Sequence, residues 1–136
     1  MKDEIMTIII FILLCTLFAV NTHAIKTASK NLKNGIDDTV KVLEEDNPEK
    51  KEKSFEKLSK TWDNEQKKLF YLCHHSVVAQ IDENINLSRQ YAQRDEDSLA
   101  LILLKKARIM LEDLAEREKF RLDNIFNCNI IKYVII

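Results

Sequence analysis

Residues 25–49 read IKTASKNLKNGIDDTVKVLEEDNPE and contain both a helix and the signal that ends it. Apolar side chains recur every three or four positions along this stretch, the spacing of one face of an amphipathic α-helix. They are Ile25, Ala28, Leu32, Ile36, Val40 and Leu43. The tract DNPE at 46–49 ends this first helix and starts a second, because Asp or Asn caps a helix, Pro suits its first turn and Glu favours the positive end of its dipole. Gly35 lies at the edge of the stripe and weakens the first helix by about 1 kcal/mol relative to alanine.

The second helix is predicted from Pro48 to Gln93, but its apolar residues do not keep one face. One stripe is Phe55, Leu58, Trp62 and Leu69, and the other is Ile81, Ile85, Ser88 and Ala92. The two are rotated by roughly 120° if 3.6 residues per turn holds throughout. The polar tract 94–98 predicts a tight connection to a third helix over Leu99 to Ile125. The third helix is expected to turn inward Leu103, Ala107, Met110, Leu111, Leu114 and Leu122.

The composition excludes several classes of protein. Only one glycine and one proline occur among 136 residues, where usage of about 7 % and 5 % would give roughly ten and seven. Phosphate loops, dinucleotide fingerprints and nucleophile elbows all need glycines, so enzymes built on them are excluded. The net charge of -1 provides no field to attract nucleic acid, and no nucleic-acid partner is expected. The fold class is predicted as all-α, an N-terminal transmembrane or signal-anchor helix followed by an antiparallel helical hairpin or three-helix bundle.

The N-terminal segment is predicted to lie in a lipid bilayer through residues 5–25. Residues 5–20 are almost entirely apolar, and no charge appears until Lys26. A helix over 5–25 is about 31 Å long, close to the roughly 30 Å hydrocarbon core. The alternative is a secreted helical protein after signal cleavage following Ala24. We favour retention, because the sequence before the apolar segment is not positive and Thr22-His23-Ala24 is only a fair cleavage site.

The helix lengths create a geometric conflict. If the first two helices pack antiparallel about Pro48, Ala24 lies level with about Phe70, and a straight second helix would carry residues 71–93 into lipid. Charged residues in that segment, Asp82, Glu83 and Arg89, forbid this. A retained anchor therefore predicts a bend, either near residues 73–76 or near residues 21–22.

Few residues suggest chemistry. His74, His75 and Asp82 are the candidate metal ligands, but two helical turns separate His75 from Asp82 by about 10 Å, and adjacent histidines diverge by about 100°. Cys73 beside His74 does not form a thiolate–imidazole pair on a helix, since neighbours do not face each other. We therefore expect no catalytic, cofactor-binding or metal-binding residues, no cofactor and no enzyme activity. Trp62 is interpreted as a core anchor, and the acidic pairs 37–38, 82–83 and 112–113 as solvated charges.

The chain is divided into a membrane anchor or signal segment at 1–25, a helical bundle at 26–125 and an apolar tail at 126–136. The tail, FNCNIIKYVII, is too short to span a bilayer as a helix. We interpret it as a loosely docked end, with packing against the helices around Trp62 as the alternative.

Several features together resemble one bacterial family, catalogued as domain of unknown function 4363. They are the hydrophobic N-terminus, the single Trp62, the stretch from Tyr71 that ends in IDENI at 81–85, and an acidic turn before a Leu- and Ala-rich helix closing in LDNIF at 122–126. The resemblance covers roughly residues 1–126, and the apolar ending after Phe126 departs from it. It implies a small membrane-anchored helical protein of clostridia and their relatives, and carries over no activity and no catalytic residues.

The resemblance also favours a bundle on the outer side of the membrane. Counting charges points the other way, because Lys26, Lys30 and Lys33 follow the span and only Lys2 and the amino terminus precede it. We expect a single-pass, extracytoplasmic protein-interaction module whose partner is a membrane protein or a second copy. The rival hypothesis is a small extracytoplasmic sensor or metal-binding domain that uses His74, His75 and Asp82.

Overall fold

The computed structural model describes residues 1–127, with side chains described as far as Lys119. Within this range the chain forms four helices and no strand: α1 (Lys2–Glu44), α2 (Pro48–Leu72), α3 (His75–Gln93) and α4 (Asp97–Asn127). The all-α prediction is therefore confirmed. The predicted tail at 126–136 lies almost wholly outside the described residues.

Cross-helix contacts show that α1 and α2 run antiparallel. A Cβ on Gly35 would lie 3.1 Å from Leu58 Cδ1, and the Thr39 hydroxyl donates to the Ser54 carbonyl at 3.5 Å. The α4 helix is antiparallel to α1 as well, since Arg108 donates to Asp37 at 2.8 Å. With α3 packed between α2 and α4, the helices form a ring in which the chain runs up, down, up and down.

The core consists of the apolar stripes that the sequence predicts. Phe55, Leu58, Trp62 and Leu69 are at most 3 % exposed, as are Ile81, Ile85, Ser88 and Ala92. On α1 the stripe is buried except Val40, which is partly buried. Burial of each large apolar side chain contributes about 1.5–3 kcal/mol, so these stripes hold the bundle together. On α4 the predicted Leu103 and Met110 are partly buried, whereas Leu104, which was not predicted, is fully buried, because the face that meets α3 and α1 includes Ala100, Leu104, Ala107 and Leu111. The predicted Leu122 lies outside the residues whose side chains are described.

The second predicted helix is two helices, α2 and α3. Cys73 and His74 are extended, with ψ of 171° and 122°, and break the helix where the stripe changes phase. The break confirms one of the two predicted places for a bend, while α1 continues as a helix through residues 21–22. Both stripes can therefore face one core. Because α3 runs antiparallel to α2, residues 75–93 lead back along the bundle, away from Ala24.

Local capping explains the two connections between antiparallel helices at the far end. The Asn47 side chain accepts from the Lys50 amide at 3.2 Å, with Pro48 in the first turn of α2, as predicted. After α3, Asp95 takes a left-handed conformation with φ of 58°. The Asp95 amide donates to Ala92 at 3.1 Å and the Glu96 amide to Tyr91 at 3.0 Å, which is the Schellman pattern of a helix end.

Candidate functional site

The first half of α1 forms an apolar arm, residues 5–20, that projects beyond the bundle. Its large apolar side chains are 47–63 % exposed, except Phe18, which is partly buried. The Thr7 and Thr16 hydroxyls each donate to the carbonyl four residues earlier at 2.8 Å, so these polar groups are satisfied within the helix, as a bilayer requires. Among the described residues, α1 is the one helix long and apolar enough to cross a membrane.

The bundle begins directly after the apolar arm. Thr22, 4 % exposed, is the first buried residue of α1, followed by Ile25 at 2 %. The register set by Gly35 and Leu58 places the α2–α3 break level with residues 20–22 of α1. We call the part of the bundle at this level, where α1 enters it, the arm-proximal end.

A cavity of about 580 Å³ lies at the arm-proximal end, between the α2–α3 break and α4. Its lining is apolar at Leu72, Val77, Met110 and Leu114, and polar at His74, Asp113, Arg117 and Glu118. Tyr71, 89 % exposed, stands beside the cavity. An exposed tyrosine next to a span is typical of the interface between membrane and water.

The candidate metal ligands are not brought together. His75 packs its ring against Phe70, with centroids 5.6 Å apart, while His74 lines the cavity. Asp82 accepts from the Asn86 amide at 3.1 Å. Among the described residues, no group of three or more His, Cys, Asp or Glu side chains is placed to hold a metal ion.

Trp62 is a core residue, as predicted. It is 3 % exposed, and its indole Nε1 has no hydrogen-bond partner in the described part of the chain. Its side chain therefore contributes apolar packing without a buried hydrogen bond.

A second opening, the lysine groove, lies between α1 and α4. It has a volume of about 440 Å³ and is lined by Lys26, Ser29, Lys30, Lys33, Asn34, Asp37, Arg108 and Ala115. Arg108 bridges α4 to α1 by donating to Asp37, and it also donates to Glu112 one turn along α4. The hydrogen bond to Asp37 raises the pKa of Arg108 further above its usual value. The interpretation of Asp37 and Glu112 as simply solvated is wrong, because both carboxylates are half-buried in this ion pair.

The outer face of α4 carries exposed apolar side chains that the sequence analysis did not single out. Leu99, Ile102 and Ile109 are 42 %, 61 % and 58 % exposed. Separations of three and seven residues place them on one face of the helix, and this heptad-like spacing is the signal that could have identified them. We call these three residues the α4 stripe.

Comparison with known proteins identifies one family. A family model described as a domain of unknown function, DUF4363, matches residues 19–125. The match begins at Ala19, so most of the apolar arm lies outside the matched range, and it includes every helix of the bundle. No curated protein and no solved structure matches the chain. Because the match covers more than three quarters of the sequence and agrees with the resemblance carried by Trp62 and residues 81–85, the chain belongs to the DUF4363 family.

Proposed function

We propose that the protein is a single-pass membrane protein that holds a helical interaction module directly against the bilayer. The observation that carries this proposal is the continuity of α1, which runs without interruption from the exposed apolar arm into the buried core. The arm has about a dozen large apolar side chains, and exposing them to water costs more than about 15 kcal/mol at about 1.5 kcal/mol each. A bilayer removes this cost.

Burial near the start of the bundle supports retention of the arm. Cleavage after Ala24 would separate Thr22 from the bundle and leave Ile25 at a new terminus, although both side chains are buried. The predicted cleavage site after Ala24 also lies inside a continuous helix. A cleaved chain would therefore lose packing contacts that the retained chain keeps.

The absence of a linker gives the module a fixed position. Because α1 is one helix, the bundle sits on the membrane surface with the arm-proximal end, Tyr71 included, facing the headgroups. We take the outer side of the membrane from the family resemblance, against the count of flanking lysines. Partners are then proteins that reach the same surface: another membrane protein or a second copy.

The α4 stripe is the surface we assign to such a partner. An exposed apolar patch rimmed by polar residues is typical of a protein–protein interaction site. Two copies anchored in one bilayer with the same topology must meet side by side, which would place the two α4 helices parallel.

Anchoring and topology are tested on native membranes. We expect the uncleaved chain, by mass, to stay with the membrane through alkaline carbonate, and a protease added to intact cells to digest the bundle. Release by carbonate would refute anchoring. Digestion seen only in inverted vesicles would refute the outer placement alone.

The interaction role is tested with a photoactivatable residue at Ile102 or Ile109, and at Lys57 on α2 as an exposed control. We expect one discrete crosslinked species from the α4 positions and none from position 57. A species of twice the chain mass identifies a second copy, and a larger species of another mass identifies a different membrane protein. No crosslink, or the same species from position 57, would remove the α4 stripe as the interface.

A further inference from the structure

We propose that the lysine groove binds the phosphate of an anionic phospholipid headgroup at the point where α1 leaves the bilayer. The inference rests on the proposed anchoring and adds a lipid class to it. Lys26 and Lys30 would bind the phosphate, and the groove between α1 and α4 would receive the rest of the headgroup.

The charges in the groove are separated along its length. At the end far from the arm, Arg108 is paired with Asp37 and Glu112, and Lys33 lies 3.9 Å from Glu112. At the near end, Lys26 and Lys30 are exposed and have no ion pair within the described residues. The near end therefore carries two ammonium groups that make no ion pair within the described residues.

The helix α1 itself contributes no acid to this end. No Asp or Glu occurs from residue 5 to residue 36, whereas Lys26, Lys30 and Lys33 occur at intervals of four and three. Such intervals place all three ammonium groups on one face of the helix. By contrast, Lys51 pairs with Asp97 and Lys60 with Glu56.

The position along α1 brings the lysines close to the headgroup layer. Lys26 lies six residues after Val20, or about 9 Å along the helix, just beyond the polar layer, which is about 5–8 Å thick on each side of a bilayer. Lys30 is one turn higher. Lysine side chains extend toward the interface when their Cα lies off it, so both ammonium groups can reach a headgroup phosphate.

The base of the groove is formed by small side chains. Ser29 is 1 % exposed, and Ala115 faces it from α4. The Ser29 hydroxyl has no hydrogen-bond partner among the described residues. It is a donor without a protein acceptor beside two lysines, a combination that suits a phosphate oxygen.

The test compares two double variants of the full chain in a non-ionic detergent. Lys26→Gln with Lys30→Gln removes two charges from the groove, and Lys53→Gln with Lys57→Gln removes two exposed charges at the same spacing from α2. Binding of phosphatidylglycerol, phosphatidylcholine and inorganic phosphate is measured by native mass spectrometry. At about 1 kcal/mol per lysine, we expect about 30-fold weaker phosphatidylglycerol binding for the groove variant and no change for the α2 variant.

Three results would overturn the inference: equal losses in both variants, equal affinity of the native chain for phosphatidylcholine, or equally tight binding of inorganic phosphate. Carbonate extraction of both variants keeps this outcome separate from anchoring. If both variants and the native chain stay in the membrane while lipid binding is unaffected, the headgroup site is wrong and the anchor stands. If the native chain itself is extracted, the anchoring proposal fails first.

Discussion

Gly35 is the position where the packing of α1 against α2 can be tested most directly. Replacing it with alanine should strengthen the isolated helix by about 1 kcal/mol. The added methyl, however, would lie 3.1 Å from Leu58 Cδ1, closer than the roughly 3.5–4.0 Å of ordinary carbon contact. Leu58 is 1 % exposed and has little room to move.

Relieving such a contact in a packed core costs about 1–3 kcal/mol. Subtracting the helix gain leaves a net destabilisation of about 1 kcal/mol for Gly35→Ala, or about 4 °C in Tm for a domain of this size. The assay is thermal unfolding of the full chain in detergent, followed by circular dichroism at 222 nm.

Two controls separate packing from helix propensity. Asn34→Ala, an exposed neighbour on the same helix, should stabilise by up to about 0.7 kcal/mol. In a Leu58→Val background the clashing methyl is gone, so Gly35→Ala should change sign and stabilise by about 1 kcal/mol. If Gly35→Ala raises Tm equally in both backgrounds, close approach of the two helices is not what selects glycine.

The same unfolding assay tests three further predictions. Lys51→Met should lower the free energy of unfolding by about 2 kcal/mol, because Lys51 is 7 % exposed and donates to Asp97 at 2.9 Å. This value lies between the usual effects of breaking a surface ion pair and a buried one. The hydrogen bond to Asp97 raises the pKa of Lys51 above 10.5. The contribution of Lys51 to the free energy of unfolding is therefore complete below pH 10.5 and is lost as the pH rises through the pKa of the folded protein. A difference in stability between the native chain and the variant that persists above that pKa would contradict this. Asn47→Ala should cost about 1 kcal/mol by removing the cap of α2, and Asn47→Asp should cost nothing measurable. Leu104→Ala should cost about 3 kcal/mol and Leu103→Ala less than half of that, and the reverse order would refute the assigned face of α4.

Properties that depend on neighbours in the chain were accessible from the sequence. The apolar stripe from Ile25 to Leu43, the cap at Asn47 and the polar connection at 94–98 each follow from local spacing and hydrogen bonding. The apolar arm follows from composition alone. The change of stripe between Leu69 and Ile81 made residues 73–76 one of the two predicted places for a bend, because one straight helix cannot turn two faces to one core.

Tertiary structure decided what depends on register between distant segments. It chose residues 73–74 over 21–22 for the break and Leu104 over Leu103 for the core. It paired Arg108 with Asp37, which lie 71 positions apart in sequence, while Lys26 and Lys30 make no ion pair within the described residues. Helical periodicity shows which residues share a face, but only the packing of α1 against α4 determines which opposing charges that face meets.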